Sequence, residues 1–174
     1  MNEVIFRALC ACFGLDPESG EAAGMILPAY EEPENAPAPP RNRDAVYYAV
    51  FPEDEPGTRY QSFGMVSGHP AVSSPEGRRL LIICYGPHCE ENALTIRAFL
   101  YADGAGFPRA ILRAAGIYPV PDPPMPAVIY EEENSLWRKR ADWTVSLRLC
   151  GTRVHPGEVG RIGAAPVIHF LKGD

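Results

Sequence analysis

The sequence predicts an α+β fold, a mostly antiparallel sheet with helices packed on one face. Three observations predict it. Arg79 to Tyr85 (R-L-L-I-I-C-Y) is a continuous apolar run of strand length, the pattern of a strand covered on both faces or nearly so. Two helical patterns follow it directly. From Arg140 to Leu149, apolar and polar residues then alternate without fault. Strands grouped around a helical pair are the signature of helices segregated to one side of a sheet.

The elements follow in order. Met1 to Leu15 reads as a helix, with Val4, Ile5, Ala8, Leu9 and Cys12 at helical spacing and Gly14 and Pro17 as stops. Glu31 to Arg43 carries Pro33, Pro37, Pro39 and Pro40. Proline removes donors and favours extended chain, so this segment is expected to be a linker or an arm laid on a neighbour. Ala45 to Phe51 is β-branched and aromatic, hence a strand. Tyr60 to Ser67 is a second strand weakened by Gly64, and Gly68 to Gly77, with its Pro, Ser and Gly, is expected to be a loop.

Gly86-Pro87 ends the apolar strand. A helix is expected from Cys89 to Tyr101, with Ala93, Ile96, Phe99 and Leu100 as its apolar stripe. Gly104 and Gly106 break it. A second helix covers Phe107 to Ala115, with Pro108 in its first turn and Gly116 at its end. Tyr118 to Pro126 is proline-rich and extended, and Ala127 to Tyr130 is a short strand. In the alternating strand, Ala141, Trp143, Val145, Leu147 and Leu149 point one way. Arg140, Asp142, Thr144, Ser146 and Arg148 point the other, giving one buried face and one that is wet or contacts a partner. Val167 to Leu171 is a last strand. The whole chain, 1–174, reads as one domain, with 31–43 as the arm and 151–174 as a C-terminal extension.

Composition narrows the function. The chain has 174 residues, 46% of them hydrophobic, enough for one core. Its net charge of −6 argues against nucleic-acid wrapping or anionic-membrane binding through bulk electrostatics. No apolar run approaches the ~20 residues of a membrane helix. Met1 to Phe13 lacks the features of a signal peptide, so the protein is expected to stay in the compartment where it is made. Five cysteines, Cys10, Cys12, Cys84, Cys89 and Cys150, form an odd set without a C-x-x-C pair and read as free thiols.

Candidate chemistry centres on His88-Cys89. A cysteine at a helix N-terminus can have a lowered pKa, a neighbouring histidine could assist it, and a strand–turn–helix imitates a nucleophile elbow. Adjacent side chains rarely face each other, however, and no third, orienting residue is identifiable. His69, His88, His155 and His169 are scattered rather than at ligand spacing, so no metal site is expected. Phosphate-cradling glycine motifs are missing, and Gly104-Ala105-Gly106 is a helix breaker. No cofactor is expected. The clusters Glu31-Glu32, Glu53-Asp54-Glu55 and Glu131-Glu132-Glu133 could bind a cation or act as an acid/base pair, but solvated loops are the favoured reading. Trp137 and Trp143 could stack bases beside arginine, but Trp143 falls on the apolar face and reads as core.

One charge pattern stands apart. Glu131, Glu132 and Glu133 lie close in sequence to Arg138, Lys139 and Arg140, of opposite sign. One patch could meet the other on the next subunit of a ring, a heterologous contact that closes by rotation. Pairing within one hairpin is the equal alternative. With Arg148 on the polar face of the last long strand, these residues are the candidate subunit contacts.

The run R-R-L-L-I-I-C-Y-G-P (Arg78 to Pro87), the two helices after it, and E-N-S-L-W-R-K-R-A-D-W-T-V-S-L-R-L (Glu133 to Leu149) together resemble the phage neck-terminator or tail-completion family. The likeness spans about Ala45 to Leu149. It implies a tail-terminator-like α+β fold that assembles with itself into a ring, commonly a hexamer, as a structural part of the virion. The ring would cap the tail tube protein, offer a surface to the head connector or neck proteins, and let DNA cross its lumen without sequence-specific binding. Localisation at the neck or tail end, after assembly in the host cytoplasm, is implied too, and no enzymatic activity or membrane partner. The alternatives are a small cytoplasmic enzyme using Cys89 with His88, and a generic protein-interaction adaptor.

Overall fold

The computed structural model describes residues 1–29, 42–54, 61–121, 123–133 and 136–154. The expected arm over 31–43 lies outside them except for its last two residues. So do the expected strand Val167–Leu171 and all of the C-terminal extension beyond Val154.

Helix α1 spans Asn2–Phe13 and ends on Gly14, whose left-handed φ of 65° lets the Leu15 N–H return to the Cys10 carbonyl at 3.0 Å. A short helix α2 (Gly20–Met25) follows, for which the sequence reading had no expectation. Its signal is Ser19, whose hydroxyl oxygen accepts the Ala22 N–H at 3.1 Å as an N-cap. Strand β1 (Ile26–Pro28) pairs in parallel with β2 (Ala45–Glu53). Next come β3 (Ser62–Val66), β4 (His69–Tyr85), helices α3 (Cys89–Tyr101) and α4 (Pro108–Ala114), and then β5 (Ile117–Pro119), β6 (Ala127–Glu133) and β7 (Leu136–Val154).

The sheet has the order β1-β2-β4-β7-β5, with β3 also on β4 and β6 also on β7. Every pairing except β1–β2 is antiparallel. The α+β class with helices on one face is therefore what the chain adopts. One row across the sheet, Tyr48–Ile82–Trp143, shows the register that makes the core. All three side chains face the helices, where Ile5, Leu9, Ile96, Leu100 and Leu112 meet them. The phase read for the last strand holds: Ala141, Trp143, Val145 and Leu147 are buried. A smaller cluster of Ala45, Tyr47, Ile83 and Tyr85 lies on the opposite face.

The expected loop over Gly68–Gly77 is instead the first half of β4. Its loop-like residues have sheet roles. Gly77 sits against β2 so closely that a Cβ there would lie 2.7 Å from the Glu53 carbonyl oxygen. Pro75 sits where β3 has stopped pairing at Ser73 and β2 begins at Gly77, a gap that tolerates a residue without an N–H. As a result β4 runs 17 residues and β7 19, and both extend past the helical layer.

The proline-rich stretch after β5 is a strap across the edge of the core. Prolines bring acceptors without donors, and here the acceptors are taken. The Tyr101 hydroxyl donates to Val120 O at 2.7 Å, Arg97 donates to the carbonyls of Pro123 and Pro124, and the Trp143 indole donates to Pro124 O. Among the described residues, no helix is long and apolar enough to cross a membrane.

Candidate subunit-contact surfaces

The hairpin of β6 and β7 collects most of the expected contact residues. Its register sets Glu131 opposite Arg138, Glu132 opposite Trp137 and Tyr130 opposite Lys139. The opposite charges therefore meet first within the chain. Arg140 donates to a Glu131 carboxylate oxygen, to Asp142 at 3.1 Å and to the Tyr85 hydroxyl at 3.3 Å. A second contact to Asp142, from Nε, is 3.0 Å long but misaligned for a hydrogen bond. Lys139 reaches Glu90 in the first turn of α3 at 2.8 Å. Arg138 lies over the Tyr85 ring, 5.4 Å from its centre. Glu133 pairs through its backbone with Leu136. Arg148 stands apart, opposite Gly77 and Tyr118 near the far end of β7.

Burial sets the electrostatics of this cluster. It pushes the Asp142 carboxyl above its ordinary value, with Arg140 pulling the other way. Burial also raises the Tyr85 phenol, against the Arg140 hydrogen bond. Burial opposes the Arg140 charge, but the bond to Tyr85 and the charges of Asp142 and Glu131 outweigh it and keep Arg140 above its ordinary value.

Sequence reasoning missed the apolar residues at this tip. Tyr130 and Trp137 share the helix-side face of the hairpin yet are 64% and 72% exposed. The alternation that gave Arg140–Leu149 its two faces did not reach them, and no local pattern says that the helical layer stops before them. The ribbon of β3, β4 and β7 at the other end has the same property, with Phe63 80% and Met65 66% exposed.

The outer side of the helical layer carries an apolar groove of about 620 Å³ between α1, α3 and the α3–α4 turn. Ala11, Phe13, Thr95, Phe99 and Phe107 line it. Phe99 and Phe107 stack with their ring centres 6.0 Å apart. A smaller groove of about 320 Å³ shares Ala11 and adds Arg7, Leu15 and Ile111. Phe99, expected in the core stripe of α3, belongs to this surface instead. The stripe that packs inward is Cys89, Ala93, Ile96 and Leu100.

His88 and Cys89 go separate ways. The Cys89 thiol is buried in the main core, and that burial raises its pKa. The His88 ring faces Asp44, which takes both its Nδ1 (2.8 Å) and its backbone N–H (2.9 Å). The hydrogen bond and charge of Asp44 raise the His88 pKa. Gly86 makes the arrangement possible: its φ is +105°, and a Cβ would lie 2.5 Å from Asp44 Oδ1. So an orienting residue exists, but 44 positions away, and it orients His88 without bringing it to the thiol. No hydrogen bond joins His88 to Cys89 among the described residues. His69 is half-buried in β4, while His155 and His169 lie outside the described residues.

No family model matches the chain, and no curated protein matches it.

Proposed function

We propose that the chain is a structural virion subunit of a tailed phage, a ring-forming neck or tail-terminator protein. The observation that carries this reading is the pair of overhangs on β4 and β7. Each end of the sheet outruns the helices and exposes large apolar side chains, Tyr130 and Trp137 at one end and Phe63 and Met65 at the other. Contiguous exposed apolar surface marks interaction sites. Different surfaces at opposite ends suit head-to-tail contacts, which close into rings when the rotation permits. The α+β class agrees with the family that the sequence resembles. In this reading the partners are further copies of the chain, the tail tube protein and the head connector, with DNA passing through the lumen. The enzyme alternative draws less support, because its nucleophile would be the buried, protonated Cys89.

The test is mass photometry of the purified chain, alone and with tail tubes. The expected result is a closed oligomer, commonly a hexamer, in at least one condition. A monomer in both would overturn the reading.

A further inference from the structure

We infer that the Tyr130–Trp137 face of the β6–β7 hairpin docks into the α1–α3 groove of a second copy of this chain. The inference rests on the ring reading above and names the two surfaces that would close the ring.

The hairpin presents Tyr130, Glu132, Trp137 and Lys139 on one face: two exposed aromatics, a carboxylate, and an ammonium already paired with Glu90 of its own chain. The groove presents the stacked Phe99–Phe107 pair, with Arg7 on its extension beyond Ala11. Aromatic therefore meets aromatic, and Glu132 meets the half-exposed Arg7, whose partner among the described residues is the exposed Glu3 one helical turn away, at 3.3 Å. Two aromatic side chains bury roughly 150–250 Å² each. That is about half of the ~800 Å² per partner in a stable interface, and tryptophan and tyrosine are the usual anchors of such interfaces.

A second copy is the occupant because the chain's own hairpin is held elsewhere. Lys139 ties it to Glu90 at the start of α3, whereas Phe99 lies nine residues further along that helix, about 14 Å away at 1.5 Å per residue. Hairpin and groove are distinct surfaces, so each copy donates one and accepts one.

The experiment mixes two full-length chains, one carrying Trp137→Cys and the other Thr95→Cys, both with the exposed Cys150 replaced by serine. Under diamide, a disulfide should form between the two chain types on mixing, and not when Ser62→Cys at the far end replaces Trp137→Cys. In parallel, the double variant Tyr130→Ala/Trp137→Ala should keep the parent's melting temperature at concentrations where both are monomeric and weaken self-association about thirtyfold or more, the loss expected of a hot spot. An oligomer that persists unchanged in the double variant, without the cross-link, overturns hairpin docking and leaves the ring reading standing. Normal self-association with lost binding to tail tubes also overturns it, by giving the hairpin to a different partner. A parent chain that stays monomeric even with tail tubes removes the ring reading and this inference with it.

Discussion

The indole N–H of Trp143 donates to the carbonyl oxygen of Pro124 at 2.9 Å, joining the centre of the sheet to the proline-rich strap. Trp143 is also 1% exposed and meets the Tyr101 ring edge-on, 6.5 Å between centres. Trp143→Ala should therefore cost about 3–5 kcal/mol, the range for removing a buried aromatic. Trp143→Phe keeps most of the packing and loses the hydrogen bond, so its cost should be smaller, about 1–3 kcal/mol, part of it from the orphaned carbonyl. Urea unfolding midpoints of the two variants measure the difference. A Trp143→Ala variant that unfolds like the parent would place this side chain outside the core.

The Asp44–His88 pair makes stability depend on pH with a definite sign. The folded-state pKa of His88 is raised, first by the Asp44 hydrogen bond and then by its charge. A raised histidine contributes stability that is full below its unfolded value of about 6.5 and fades as pH rises through the folded value. The His88 imidazole should titrate above an unstructured histidine in a proton NMR titration and fall back towards it in Asp44→Asn. Equal titration in parent and variant would contradict the pairing.

The cysteines should separate by reactivity. Cys10, Cys12, Cys84 and Cys89 are buried and Cys150 is exposed. Burial lifts the Cys12 thiol to about 12, with a smaller push from Cys10, and it raises Cys10, Cys84 and Cys89 as well. Thiols that hold their protons at neutral pH alkylate slowly. Iodoacetamide under native conditions should label Cys150 first and leave Cys89 unmodified until the protein unfolds, as read by peptide mass spectrometry. Rapid labelling of Cys89 in the folded chain would revive the nucleophile reading.

The elements that local periodicity can encode were legible in the sequence. Helices α1, α3 and α4, the paired strands of the centre and the phase of Trp143, Val145 and Leu147 all follow from spacings of 3.6 and 2, because the core-facing side of an element is written in its own residues. What lay beyond reach depended on neighbours distant in the chain. Gly77 and Pro75 look like loop residues until β2 and β7 are in place. Then the glycine answers a close backbone approach, and the proline falls in a gap between strands. Glu131 and Arg140 read as surface charges that either a hairpin or a neighbouring subunit could use, and the strand register brought them together within the chain. Asp44 became the partner of His88 only when the start of β2 came beside the turn at Gly86. Phe99, Tyr130 and Trp137 carry the same apolar signal as core residues, yet they stand exposed. Each element's own residues set which of its sides is apolar. How far the opposing layer reaches follows from packing, because burial belongs to the packed pair of elements and not to either one alone.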